Sequence, residues 1–220
     1  MTNTVLTKVY NAPPIEKREI LRYAGCPAAA ELELLDDCIG EIKGKLSYKI
    51  CYREFDICRD GIMLDLGFVK AASEDLIKNL HDCGRIIVFA ATVGLEIDRL
   101  IEKYCRLSPT KALLFQAIGA ERIESLCNAF CAEMGDAVRT EGRLLKPRFS
   151  PGYGDLPLEL QRDIFAVLDC PRKIGLTLND SLLMSPSKSV TAIVGITENK
   201  TEYCVNKCGM CGNSDCTFRG

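Results

Sequence analysis

The sequence lacks most of the signatures of an enzyme that carries its own catalytic machinery. It contains a single histidine, His81, in the polar segment NLHDCG, so a Ser/His/Asp or Cys/His centre is not expected. It contains neither a Walker phosphate-binding loop nor a GxGxxG motif, and nothing else indicates a nucleotide-binding loop of those kinds. Any chemistry performed with this chain is therefore expected to come from a bound cofactor.

Long apolar runs and an excess of charge of one sign are also absent. No stretch approaches the roughly 18 apolar residues that a membrane-spanning helix needs. The first ten residues, MTNTVLTKVY, show no charged start followed by an apolar run, as a secretion signal would. The net charge of -2 argues against a nucleic-acid surface. We expect a cytoplasmic protein that binds neither membrane nor nucleic acid.

Cysteine, by contrast, is abundant. The chain has 13 cysteines, an odd number without an export signal, so a disulfide framework is not expected. The nine that lie between Cys26 and Cys170 are interpreted as small buried hydrophobes, since most have apolar neighbours. The remaining four stand close together near the C-terminus and are considered below.

The spacing of apolar residues predicts a mixture of helices and strands. Helices are predicted for two segments within 14–43, for 73–80 after the capping residue Ser73, for 94–106, for 109–139 and for 158–170. Strands are predicted for a hairpin of 48–55 with 62–69 around Asp60-Gly61, for 85–93, for two segments within 182–197 and for 201–205. Because these elements show no strict βαβ alternation, the predicted fold class is α+β with a largely antiparallel sheet.

One segment, KPRFSPGYGDLP from Lys146 to Pro157, cannot be an ordinary helix or strand. Pro151 fixes its own φ and Gly152 permits a positive φ, so we expect a shaped loop whose backbone can approach a small polar ligand. Arg148 can offer a planar fork of donors to a carboxylate, and Tyr153 offers a ring and a hydroxyl. These residues alone leave an alternative to ligand binding open. The loop could be purely structural, with its arginine paired to a helix carboxylate.

The hexapeptide RFSPGY, residues 148–153, resembles the RxxxGY motif of the activation domain of cobalamin-dependent methionine synthase. Three further segments resemble motifs that follow in the same order in that family: VLD at 167–169, GLTLNDS at 175–181 and MSPSKSV at 184–190. Upstream, FAATVGLEIDRLIEKY is similar to the strand-to-helix segment of the family. The resemblance covers about residues 84–203 and implies an α+β domain, here 1–203, with a bent antiparallel sheet flanked by helices.

The resemblance also implies a ligand. Members of this family bind S-adenosylmethionine in a shallow groove formed partly by the RxxxGY loop. Its methyl group is transferred to cobalamin after one-electron reduction of the inactive cob(II)alamin state. The positions that carry over as ligand contacts are Arg148, Ser150, Gly152, Tyr153 and Tyr203.

The sequence departs from the family pattern in several places. Where relatives have a Tyr-Tyr pair late in the domain, this chain has Glu202-Tyr203, so only Tyr203 carries over. The family has Cys-Pro just after the glycine–tyrosine pair, where this chain has Asp155, Leu156 and Pro157. Residues 1–83 show no clear match, so an acidic ligand contact that the family takes from its N-terminal part is not placed.

The C-terminal segment 204–220 is a cysteine-rich tail that the methionine synthase activation domains lack. Its spacing is Cys204-x3-Cys208-x2-Cys211-x4-Cys216, and four thiolates this close together can wrap a metal or a cluster. A zinc ribbon would show two C-x2-C pairs, whereas only one is present. CGMCGNSDCTF also resembles the iron–sulfur segment of corrinoid proteins of the acetyl-CoA pathway, in which the fourth cysteine lies downstream, so Cys204 or a distant cysteine such as Cys26 would complete the ligand set here. The interpretation favours [4Fe-4S], with zinc and an empty reduced tail as alternatives.

Taken together, these features predict a stand-alone reactivation protein of methyltransferase type. It would bind S-adenosylmethionine and support reductive methylation of cob(II)alamin on a separate corrinoid-dependent methionine synthase or methyltransferase. Flavodoxin or ferredoxin would be the electron donor, and the tail cluster could pass the electron on. The alternatives are a non-catalytic metal-binding adaptor that has lost the ligand site and a methyltransferase with another acceptor.

Overall fold

A computed structural model describes residues 4–25, 32–61 and 63–198. Tyr203, the strand predicted at 201–205 and the tail cysteines Cys204, Cys208, Cys211 and Cys216 lie outside the described residues. Cys26 lies outside them as well.

Seven helices occur within these ranges, and the first six correspond to the helices predicted from apolar periodicity. Ser73 is the N-cap of the third, where its Oγ accepts a hydrogen bond of 3.0 Å from the Leu76 N–H. None of the helices in the described ranges combines the length and the apolar character that crossing a bilayer requires. The helices are α1 (Lys17–Ala24), α2 (Leu32–Ile42), α3 (Glu74–Asn79), α4 (Glu96–Leu107), α5 (Pro109–Thr140), α6 (Leu160–Leu168) and α7 (Cys170–Ile174).

The strands form one five-stranded sheet and two smaller ones. In chain order they are β1 (Leu6–Tyr10), β2 (Tyr48–Asp56), β3 (Cys58–Asp60), β4 (Met63–Asp65), β5 (Lys70–Ala71), β6 (Cys83–Thr92), β7 (Leu144–Leu145), β8 (Thr177–Leu178), β9 (Met184–Ser185) and β10 (Ser189–Thr197). The large sheet has the order β1-β2-β6-β10-β7, and the small sheets are β3-β4-β5 and β8-β9. The predicted α+β class with a largely antiparallel sheet is confirmed.

The hairpin at Asp60-Gly61 differs from the predicted one. The turn is confirmed, with Gly61 at φ 62, but the strands that it joins are β3 and β4, which pair through Arg59 and Leu64. The prediction that 48–55 forms the first strand of this hairpin was wrong. β2 lies inside the large sheet instead, where Lys8 of β1 pairs with Ile50. The alternation of apolar and polar residues in β2 shows which face of the strand is buried, but it does not specify which strand pairs with it.

The cysteine interpretation is confirmed in part. Of the eight described cysteines, Cys38, Cys51, Cys127 and Cys170 are buried, as expected for small hydrophobic side chains. Cys83 and Cys131 are partly exposed. For Cys58 and Cys105 the prediction was wrong, since both are exposed. Cys58 begins the short strand β3 of a small sheet, and Cys105 lies on an exposed face of α4.

The described residues cluster into two compact units. Unit 1 takes its residues from the ranges 1–53, 89–130 and 159–191, and unit 2 takes its residues from 54–88, 131–158 and 192–220. The core of unit 1 contains an aromatic cluster in which the Phe130 ring lies 4.9 Å from Phe89 and 5.2 Å from Tyr52. The core of unit 2 includes Leu66, Leu76 and Ile86, all fully buried.

Unit 1 also contains a buried ion pair in the middle of α5. Arg122 is 0% exposed, and its guanidinium pairs with the carboxylate of Glu121, which is 3% exposed. The same guanidinium donates hydrogen bonds of 2.6 Å to the carbonyl oxygens of Pro13 and Pro14. The Glu16 N–H donates to Glu121 Oε1 at 3.2 Å. These contacts attach the segment before α1 to the long helix.

Candidate functional site

The loop from Lys146 to Pro157 lies in unit 2 and is anchored at its start on strand β10. The Lys146 N–H donates to the Gly195 carbonyl at 2.8 Å. Phe149 and Ile193 then exchange two backbone hydrogen bonds, of 2.9 and 2.8 Å. The Phe149 side chain is also buried. The backbone is therefore fixed on both sides of Arg148, at Lys146 and at Phe149.

The second half of the loop is held by its own turns. The Tyr153 N–H donates to the Ser150 carbonyl at 3.1 Å, and the Leu156 N–H donates to the Tyr153 carbonyl at 3.0 Å. The Gly152 N–H closes a wider turn onto the Leu156 carbonyl at 2.9 Å. Gly152 and Gly154 have φ values of 85 and 55, which L-residues rarely adopt. The predicted shaped loop is therefore confirmed, and its glycines are needed where the turns require positive φ.

Four predicted site residues lie within this one loop. Tyr153 is 65% exposed, and its ring meets the edge of the buried Phe149 ring with centroids 6.4 Å apart. Arg148 and Ser150 are half-buried, and Gly152 is exposed. The loop thus presents a guanidinium, carbonyl oxygens and an aromatic ring with a hydroxyl over a short stretch of chain. The fifth predicted residue, Tyr203, lies outside the described residues.

Asp155, which stands where the family has Cys-Pro, caps the N-terminus of α3. Its carboxylate accepts hydrogen bonds from the Ser73 hydroxyl, from the Glu74 N–H at 2.6 Å and from the Asp75 N–H at 3.3 Å. The hydrogen bond from Ser73 is the main cause that lowers the pKa of Asp155, and the two N–H groups lower it further. Sequence reasoning missed this contact, because Ser73 caps only the Leu76 N–H and Asp155 is distant from α3 in the chain.

Gly154 lies directly against α3. A Cβ at this position would collide with Oδ2 of Asp75 and would lie 3.2 Å from its Cγ. The positive φ is the reason that favours glycine here, and a side chain would in addition displace the Asp75 carboxylate. The loop and the first turn of α3 are in contact through both the Asp155 carboxylate and the Gly154 backbone.

The Asp155 cap predicts a specific dependence of stability on pH. Since the folded-state pKa lies below the unfolded value of about 3.9, the cap stabilises fully above that value and loses its effect as pH falls through the folded pKa. The difference in the free energy of unfolding between the wild type and Asp155→Asn should be constant from about pH 8 to 5. It should shrink below about pH 4. Urea titrations across this range measure it, and a difference independent of pH would contradict the cap.

The segment MSPSKSV belongs to unit 1 and is also held by a carboxylate. Asp98, in the first turn of α4, accepts hydrogen bonds from the Ser187 N–H at 3.0 Å and from the Ser187 hydroxyl. Lys188 donates to Gln116 Oε1 at 2.5 Å. Burial lowers the pKa of Lys188, while Asp98 acts in the opposite direction. Through these contacts, the polar residues Ser187 and Lys188 fix the chain just before β10 begins.

In the ranges that the structure describes, no group of three or more His, Cys, Asp or Glu side chains is arranged to hold a metal ion. The single histidine, His81, is exposed and pairs through Nδ1 with Asp82 at 2.9 Å. The tail cysteines lie outside those ranges, so the predicted cluster stays a prediction.

Comparison with known families shows which family this chain belongs to. The model of the family described as "Vitamin B12 dependent methionine synthase, activation domain" matches residues 68–217, which is more than half of the chain. The chain belongs to this activation-domain family. Membership confirms the resemblance inferred from the ordered motifs. It associates the chain with the machinery of cobalamin-dependent methionine synthase.

The structural comparison agrees with this membership. The activation-domain chain is similar in fold to a crystal structure of the MetH reactivation domain bound to AdoHcy, with a TM-score of 0.65. The two sequences are 13% identical, and the similarity covers 91% of this chain and 81% of the other. At this identity the likeness shows the fold alone. No curated protein matches the chain.

The part matched by the activation-domain family contains both the loop 146–157 and the N-terminus of α3, which are in contact through Asp155. The loop with Arg148 and Tyr153 lies within residues 68–217, and so do Ser73 and Asp155. The family motif predicts Arg148 and Tyr153 as ligand contacts, and this stays a prediction. Ser73 and Asp155 are separated by 82 positions in the chain, and no signal in the sequence connects them.

Proposed function

We propose that this chain binds S-adenosylmethionine through the loop 148–153 and supports the reductive reactivation of cob(II)alamin on a separate corrinoid-dependent methionine synthase or methyltransferase. The observation that carries the proposal is the RxxxGY loop, which is complete in sequence and held on β10 by three backbone hydrogen bonds. Family membership supports it. So does the AdoHcy bound to the similar reactivation domain, since AdoHcy is the demethylated form of this ligand.

Arg148 would bind the carboxylate of the methionine part of the ligand. A guanidinium forms two parallel hydrogen bonds with a carboxylate, which fixes orientation as well as affinity. The backbone on both sides of Arg148 is fixed by the bonds from Lys146 to Gly195 and between Phe149 and Ile193. The guanidinium would therefore start from a restricted position, and binding would cost less conformational entropy.

The backbone of the loop would bind the adenine ring mainly through carbonyl oxygens. The N–H groups of Gly152 and Tyr153 already donate to Leu156 and Ser150 within the loop. A carbonyl oxygen has a second lone pair, so the Ser150 carbonyl can accept from the amino group of adenine while it keeps its turn hydrogen bond. The exposed ring of Tyr153 would cover an apolar part of the ligand.

The chain would supply binding and orientation, while the ligand supplies an activated methyl group for the reduced cobalamin of the partner. No acid or base from the loop is required for such a transfer. This agrees with a loop whose polar side chains are a permanently charged arginine, a serine and a tyrosine, with Asp155 engaged in capping α3.

The direct test is binding followed by reconstitution. Equilibrium dialysis with S-adenosylmethionine labelled in its methyl group should show one saturable site. The label should then pass to cobalamin when a cob(II)alamin methyltransferase and a chemical reductant are added, and it should not do so without this protein. An adaptor that has lost the ligand site would show no saturable binding, and a methyltransferase for another acceptor would bind the ligand without labelling cobalamin.

The tail adds a second, separable proposal. Cys204, Cys208, Cys211 and Cys216 are proposed to hold a [4Fe-4S] cluster, with zinc as the alternative. Thiolate-ligated clusters reach potentials as low as roughly −700 mV, and reduction of cob(II)alamin requires such a low-potential electron. A brown anaerobic preparation that bleaches with dithionite is expected. Colourless protein with stoichiometric zinc would contradict the cluster and leave the ligand-binding proposal intact.

A further inference from the structure

We infer that Ser73 and Asp155 form a clamp that positions the loop 148–153 for S-adenosylmethionine. Neither side chain is proposed to touch the ligand, so both are positioning residues. The inference rests on the proposed function, because it concerns the same loop. It goes beyond that function by assigning part of the affinity to α3, which is distant from the loop in the sequence.

The loop has two anchors, one on each side of Ser150 and Tyr153. Upstream, Phe149 exchanges backbone hydrogen bonds with Ile193. Downstream, Asp155 caps α3. The residues between the anchors include Tyr153 and the two glycines. Glycines are the residues with most backbone freedom to lose, so this stretch needs fixed ends to keep one conformation.

The downstream anchor is directional. Leu156 is 2% exposed and also holds this end of the loop, but apolar burial is non-directional and tolerates small shifts. The Asp155 carboxylate instead receives three donors from the first turn of α3 and from its capping residue. A shift of the loop would break these hydrogen bonds, which are among the stronger kind because the acceptor is charged.

The clamp also completes the hydrogen bonding at the N-terminus of α3. The first N–H groups of a helix have no partner within it. Here the Leu76 N–H donates to Ser73 Oγ, and the N–H groups of Glu74 and Asp75 donate to Asp155. The buried Ser73 hydroxyl donates to the exposed carboxylate of Asp155. Both partners therefore favour the same loop position.

The test compares S-adenosylmethionine binding with thermal stability for the full chain. Asp155→Ala and Ser73→Ala should each raise the Kd for S-adenosylmethionine by up to about tenfold, because the loop then occupies its binding conformation for a smaller fraction of the time and the apparent Kd rises in inverse proportion to that fraction. Asp155→Asn, which keeps one acceptor oxygen, should fall between Asp155→Ala and the wild type. Calorimetry is done at a temperature at which all variants are folded, so lower stability alone leaves Kd unchanged.

A control variant separates positioning from a change of charge. S-adenosylmethionine carries a net positive charge, so the loss of any carboxylate could weaken its binding slightly. Asp136→Ala removes a carboxylate from an exposed side chain of α5 that pairs with Arg139 at 2.6 Å. Its Kd should stay within about twofold of the wild type, as expected for an exposed pair.

Hydrogen exchange provides a readout that a merely structural role would not change. By reciprocity, if the clamp improves binding then ligand must stabilise the clamp. S-adenosylmethionine should slow exchange of the Glu74 and Asp75 amides in the wild type and not in Asp155→Ala. Unchanged Kd in Asp155→Ala and Ser73→Ala, with wild-type binding intact, overturns the clamp alone. Absence of saturable binding to the wild type defeats the proposed function and the clamp with it.

Discussion

Arg148→Ala should weaken S-adenosylmethionine binding about tenfold to hundredfold. A hydrogen bond to a charged group contributes about 1.5–3 kcal/mol, and each 1.4 kcal/mol corresponds to about tenfold in Kd. Alanine removes the whole guanidinium, and the segment 148–153 contains no other positively charged side chain. Isothermal titration calorimetry on the purified chain measures the change.

Two further variants make this result specific to the guanidinium. Arg148→Lys keeps the positive charge but loses the planar fork, so its Kd should lie between those of the wild type and the alanine variant. Arg106→Ala removes an exposed arginine near the end of α4 and should bind like the wild type. Equal affinity of Arg148→Ala and the wild type would show that this arginine does not bind the ligand, whatever the function of the loop.

Arg122→Met should lower the free energy of unfolding by about 3–5 kcal/mol, the size found when one partner of a buried ion pair is removed. The substitution keeps a long side chain, so loss of volume is a small part of the effect. It leaves the Glu121 carboxylate buried without its cation, and it removes the donors to the carbonyl oxygens of Pro13 and Pro14. Urea unfolding followed by circular dichroism measures the change.

A double variant tests the physical reason for this loss. Glu121→Leu combined with Arg122→Met removes both charges, so no uncompensated charge remains in the interior. The double variant should be more stable than Arg122→Met alone, because replacing both partners avoids most of the desolvation penalty. If Arg122→Met lost less than about 1 kcal/mol, the buried pair would not be a major contributor to the stability of unit 1.

Much of the fold could be predicted because it is encoded locally. Helix α3 starts after Ser73 since its hydroxyl caps the Leu76 N–H, and α5 starts at Pro109, where proline is tolerated in the first turn. The loop 146–157 could be identified because its prolines and glycines exclude regular structure. The order of several short motifs then identified the family, and with it Arg148 and Tyr153 as candidate contacts.

Pairings between distant segments could not be predicted in this way. Strand β1 escaped prediction because its sequence has little apolar periodicity, and only its pairing with β2 makes it a strand. The same limit produced the wrong hairpin, since alternation within β2 carries no information on which strand lies beside it. Arg122 was not singled out either, because its partners Pro13 and Pro14 are more than a hundred positions away.

The loop shows both sides of this division. Its glycines, prolines and RxxxGY pattern were sufficient to define its backbone type and its candidate ligand, because local sterics and a family motif are properties of the sequence alone. The role of Asp155 was decided only by the tertiary structure, which brings α3 to the end of the loop. Sequence determines what a side chain can donate or accept, whereas folding determines which partner it meets.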